Sequence, residues 1–188
     1  MALLSKTERK RILNEEGFEY TKTGIKAFQK KYMLRESDWD EIWGPNTDNT
    51  ARTVDNVRHR TKNFKPEEFR CECGGRFCCG YPSYMKVHEL ELIQDIRDHY
   101  GKPIIVTCGL RCPTYNKKLN GSIEKHLSGK AIDFYQKGVT DTLANRKKSL
   151  KWIKKRPYFS YGYGNGINSS GYAVRASYMG NALHVDIK

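Results

Sequence analysis

Apolar residues recur at helical intervals in the first part of the chain. KTERKRILNEEG carries such a pattern and stops at Gly17, and in TKTGIKAFQKKYML the residues Ile25, Phe28 and Tyr32 form one stripe. The polar stretch RESDWDEIWGPNT comes next, with Gly44–Pro45 as a turn signal. Asn46 or Thr47 then caps a short third helix, TDNTARTVDNVR. VRHRTKNFKPE is polar and basic and reads as a linker. Beyond it, VHELELIQDIRDHYG is an amphipathic helix ending at Gly101, with Leu90, Ile93 and Ile96 on its apolar side. Lys102–Pro103 opens a strand, IIVTC, that stops at Gly109; KAIDFYQKG reads as a second strand. ANRKKSLKWIKKRP is a basic helix terminated by Pro157, YGYGNGINSSGY a loop or hairpin, and LHVDIK a last strand. Helices and strands without regular βαβ alternation predict an α+β fold. The expected organisation is a helical module over residues 1–55, a linker over 56–63 and a second module over 64–188.

Composition narrows the function classes. Of 188 residues, 38% are hydrophobic and 29% charged, which suits a folded globular chain. No apolar run approaches the roughly 20 residues of a membrane span. MALLSKTERKRIL has only a short apolar patch before its charges, so no classical signal peptide is expected, and the chain is expected to be made in the cytoplasm. The net charge is +13, and residues 64–188 hold 21 Lys/Arg against 11 Asp/Glu, compared with 13 against 10 before them. Such a field attracts anionic polymers, nucleic acid and the bacterial wall alike. No interleaved aromatic and basic motif of a known nucleic-acid binder is present, so no nucleic-acid partner is expected. Six cysteines permit disulfides, but CECGGRFCC is not a Cys-x-x-Cys ribbon; disulfides, buried thiols and a second, structural zinc all stay open.

Two segments carry candidate chemistry. In His126-Leu-Ser-Gly129-Lys-Ala131-Ile-Asp133, strand alternation puts Ile132 and Phe134 on the core side and Ala131 and Asp133 on the other, where Gly129 and Ala131 leave space. In LHVDIK, Leu183, Val185 and Ile187 face the core, so His184 and Asp186 project together. Two histidines and a carboxylate suit a catalytic zinc with an open position. The same residues also read as ordinary polar groups without a metal, as His59, His88 and His99 do.

Four motifs in order resemble the D-alanyl-D-alanine carboxypeptidase and endopeptidase family of zinc peptidases, subfamily A of peptidase family M15. FKPEEFRCECGG is similar to its opening, CGLRCPTYN to its arginine segment, HLSGKAID to its His-x-x-Gly-x-Ala-x-Asp motif and LHVDIK to its closing His-Val-Asp strand. Phe28, Gln29, Gly44, Pro45 and Thr47 resemble the helical peptidoglycan-binding module found beside many cell-wall hydrolases, with Glu41 replacing the usual Gly.

The resemblance implies a small antiparallel sheet with flanking helices, preceded by a three-helix module. It implies zinc ligands at His126, Asp133 and His184, and an arginine, Arg111, that holds a substrate carbonyl or carboxylate. Bacterial peptidoglycan is the implied partner, cut by an endolysin-like monomer acting at the cell wall. The chain departs from the family in three places. Glu124 stands where Ser is common, Cys108 replaces the Ser of the arginine segment, and Asn181 stands three residues before the last histidine, where several relatives carry the base. Asparagine accepts no proton, so Asp186 is expected as the base, with orientation of a histidine as its other role. A zinc-containing wall-binding protein without a working base is the alternative function.

Overall fold

The computed structural model describes residues 2–119, 121 and 124–188. Three helices open the chain: α1 (Lys6–Glu15), α2 (Lys22–Tyr32) and α3 (Pro45–Arg60). Ser5 starts α1 through a reciprocal cap with Glu8, which satisfies two backbone donors that the first turn leaves over. Phe28 on α2 is fully buried against Phe18, Tyr32 and Trp43.

Gln29, beside Phe28, explains why the turn holds. Its amide nitrogen donates to Asp40 Oδ1, the Ile42 carbonyl and Thr47 Oγ1 at 2.8–3.0 Å, and its oxygen accepts from the Glu41 N–H at 3.1 Å. Glu41 takes φ 67, the left-handed conformation that makes glycine the usual residue there in the module it resembles.

The third helix is longer than its composition suggests. Residues 56–60, expected as linker, are its last turn; their exposed side chains are basic, while Val57 is buried. Polar bonds tie α3 to the segment leading into the next helix: Asn56 Nδ2 donates to the Met85 carbonyl at 2.9 Å, and Met85 N–H to Thr53 Oγ1 at 3.3 Å. One apolar cluster runs from Leu4 through Phe28, Val57 and Ile93 to Ile187, so the opening helices share a core with the rest.

The remainder comprises α4 (Val87–Tyr100), β1 (Ile105–Cys108), α5 (Pro113–Lys118), α6 (Glu124–Leu127), β2 (Ala131–Tyr135), α7 (Leu143–Ile153), β3 (Phe159–Gly164), β4 (Ile167–Asn168) and β5 (Leu183–Ile187). The strands form one antiparallel sheet ordered β1-β2-β5-β3-β4, giving the α+β fold. Helix α4 packs behind β2 and β5, whose core-side residues Ile132, Phe134, Leu183 and Val185 are fully buried. The glycine-rich stretch after α7 is the β3–β4 hairpin. The basic helix α7 is not solvated all round. Arg146 turns inward and donates to the Thr140 and Asn165 carbonyls at 2.7 and 3.1 Å. No helix among the described residues is long and apolar enough to cross a membrane.

Gly129 sits where α6 passes into β2. It has φ 71, its carbonyl accepts from the Lys86 N–H at 2.9 Å, and a Cβ there would lie 2.0 Å from the Tyr84 carbonyl oxygen. Backbone on both sides cannot yield cheaply. Gly129→Ala is expected to lower stability by about 1–3 kcal/mol in urea unfolding. An alanine variant as stable as the parent would contradict the close approach.

Candidate metal centre

Four strands each set one side chain in a row across the solvent side of the sheet. Asp133 on β2 lies directly opposite His184 on β5, and His184 opposite Tyr163 on β3. Cys108 on β1 lies opposite Asp133 because the register shifts between Val106 and Cys108. A bulge of this kind re-aims a side chain, and here it turns the thiol onto the face that carries the site. His126 reaches the same place from the short helix α6.

Asp133, His126 and His184 are buried and converge. Asp133 Oδ1 is 2.7 Å from His184 Nδ1 and 3.4 Å from His126 Nε2. Each ring is held through its other nitrogen: His126 Nδ1 lies 2.7 Å from the Gly109 carbonyl and His184 Nε2 lies 3.4 Å from Asp186 Oδ2. Those outer contacts hold the rings in place and leave one nitrogen of each turned towards Asp133. Burial disfavours charge on both rings, but the bonds to Asp133 outweigh it, raising His126 to about 9 and raising His184 as well. Burial likewise opposes the Asp133 carboxylate, and the two imidazoles hold it well below the usual carboxylate range. Two nitrogens and one carboxylate oxygen are donors of the kind a metal ion such as zinc takes, and the Cys108 thiol lies in one cluster with His126 and Asp133. The residues fit that ion.

The site opens into a cleft of about 680 Å³ lined among others by Glu72, Arg111, Tyr163 and Tyr178. Arg111 donates to Cys108 Sγ at 3.1 Å and Asn116 Oδ1 at 3.2 Å and lies 3.8 Å from Asp133, while its buried Nε has no hydrogen-bond partner among the described residues. The contacts with Cys108 and Asp133 keep it charged despite burial. Tyr163 is raised by burial and by its hydroxyl contact with Tyr178 at 3.1 Å.

Asp186 neighbours His184 on β5. It contacts His184 on the side away from Asp133 and lies 3.6 Å from Lys125 Nζ; like His184, it is not among the residues lining the cleft. Asn181, exposed, contacts Arg146. Among the described residues, the only carboxylates lining the cleft are Asp133, shared between the histidines, and Glu72. Partial desolvation raises Glu72, and the Asp133 charge adds to this against the pull of Arg111. Residue patterns do not single out Glu72, because it sits among cysteines with no periodicity; its place between Cys71 and Cys73 is the one available signal. The side chain of Glu124 lies outside the described residues. His59, His88 and His99 do not line the cleft, and His59 and His88 pair with surface carboxylates instead.

The family model described as Peptidase M15 matches residues 62–167, more than half of the chain. The chain belongs to the peptidase M15 family. It is therefore a peptidase, and the matched stretch contains Arg111, His126 and Asp133. The M15 match ends before His184 and Asp186, which the β2–β5 register brings to the same neighbourhood. Comparison with curated proteins gives no match.

Proposed function

We propose that this M15 peptidase uses zinc to hydrolyse peptide bonds in peptidoglycan stem peptides or cross-links. The observation that carries the reading is that His126 and Asp133 line an open cleft together with Glu72 and Arg111, while His184 meets Asp133 from the neighbouring strand. When bound by those three residues, zinc supplies Lewis acidity that activates water and polarises a carbonyl.

The chain's own groups complete the reaction. Glu72 takes the proton from the attacking water and returns it to the leaving amine as the peptide bond breaks. Arg111, preset by Cys108 and Asn116, offers its planar donors to a substrate carbonyl or terminal carboxylate. Tyr163, kept protonated by burial, and its neighbour Tyr178 present hydroxyls along the same wall. Asp186 keeps the second nitrogen of His184 occupied and so orients the ring.

The opening three helices resemble a wall-binding module, and the +13 net charge suits an anionic wall. Together they support an enzyme acting at the bacterial cell wall. The second reading, a wall-binding protein without turnover, draws on Asn181, which leaves no carboxylate three residues before the last histidine. Digestion of purified peptidoglycan followed by mass spectrometry separates the two. New amines and shortened stem peptides are expected, and the masses identify the bond cut. Intact muropeptides after prolonged digestion with zinc present would overturn the enzymatic reading.

A further inference from the structure

The segment CECGGRFCCG folds into a loop without regular strand or helix, yet its cysteines are not scattered. Cys71, Cys73 and Cys78 meet Cys112, which comes from the segment before α5, and all four sulfurs lie within 4.8 Å of one another. All four are buried, with Phe77 and Tyr115 packed against them. None is in a disulfide, and the Cys73–Cys78 sulfurs are 3.5 Å apart, against about 2.05 Å for a bond. A tetrahedron with zinc–sulfur bonds of about 2.3 Å has edges of about 3.8 Å, so the observed spacing is that of four ligands around a common centre.

The surrounding backbone is arranged for thiolates. The N–H of Cys112 donates to Cys71 Sγ at 3.3 Å. Donors aimed at sulfur stabilise the charged form that a metal binds. The two remaining cysteines differ: Cys79 stands apart, accepting from Tyr81 N–H, and Cys108 faces the cleft.

We propose that Cys71, Cys73, Cys78 and Cys112 hold a second, structural zinc ion as a closed four-sulfur site. All four positions are filled by protein, so this ion has no place for substrate. Its consequence for the cleft comes from chain order. Glu72 lies between two of the ligands and Arg111 immediately precedes a third. The ion thereby anchors both cleft walls, which otherwise belong to segments about forty residues apart with few regular hydrogen bonds.

The test uses the full chain loaded with zinc under reducing conditions, and it is independent of whether the cleft binds metal. His126→Ala, which lacks a complete cleft site, is expected to retain one tightly bound zinc per chain. Cys78→Ser is expected to contain one zinc fewer than the parent. Because Cys78→Ser can fail to fold, the His126→Ala chain is also loaded with cobalt. Intense thiolate-to-cobalt charge-transfer bands and tetrahedral visible bands are expected from its unmodified cysteines. A folded His126→Ala chain with no tightly bound zinc and no charge-transfer bands would overturn the proposal. So would a Cys78→Ser chain that keeps the full zinc content of the parent.

Discussion

His126→Ala or His184→Ala is expected to remove the cleft metal and to reduce peptide hydrolysis to background, a loss on the order of 10⁴-fold or more. Both rings are 1% exposed, and both contact the same Asp133 oxygen. Removing either takes one imidazole from the site and leaves one nitrogen and the Asp133 carboxylate, with the Cys108 thiol beside them in place of the lost ring. His59→Ala, at an exposed histidine, is the matched control and should keep both metal and activity. The same geometry sets the direction with pH. His126 is raised to about 9 by Asp133 and Cys108 against its burial, so the metal-free chain carries a proton there at neutral pH that zinc must displace. Affinity at the cleft should therefore weaken as pH falls. Metal analysis by mass spectrometry, together with turnover, checks the pair; full zinc and full activity in either variant would remove these residues from the centre.

The second large effect separates two carboxylates that share a neighbourhood but not a role. Glu72→Gln is expected to leave metal content and fold unchanged while turnover falls by roughly 10²–10⁴-fold, the range for loss of a general base. Glutamine keeps the size and polarity of the side chain and loses only its ability to take a proton. Asp186→Asn should behave differently, because Asp186 meets the outer nitrogen of His184 and faces Lys125 instead of the cleft. Zinc affinity should weaken by about 10–100-fold, with activity recovered by added zinc. Measuring zinc affinity and turnover on both variants gives opposite patterns if the roles are as stated. Normal turnover in Glu72→Gln, or an Asp186→Asn chain catalytically dead with zinc fully bound, would reverse the assignment.

Local periodicity made much of this protein legible from its residues. The 3.6-residue stripe of Ile25, Phe28 and Tyr32 and the apolar side of α4 place those helices. The two-residue alternation of AIDF and LHVD places Asp133 and His184 on one face of their strands, because successive side chains leave a strand on opposite sides. Their direct pairing across β2 and β5 needed the register as well, which depends on how the strands meet.

Alternation also put Asp186 on that face, but not at that place. Two residues along a strand move a side chain about 6.6 Å, enough to carry Asp186 past His184 towards Lys125. Cys108 reaches the site through a bulge, a local change of count that no residue pattern announces. The end of α3 reads as linker because composition reports the solvent-facing side of a helix, and Val57 alone marks the side that α4 covers. Glu72 and Cys112 belong to segments without periodicity, and their neighbours are set by chain closure over about forty residues. Residue type and spacing along the chain thus determined the longer helices but not the short α5 and α6, and with them the strand faces and the chemistry on offer. Tertiary packing alone decided which carboxylate faces the cleft and which four cysteines meet, because both depend on contacts between segments distant in sequence.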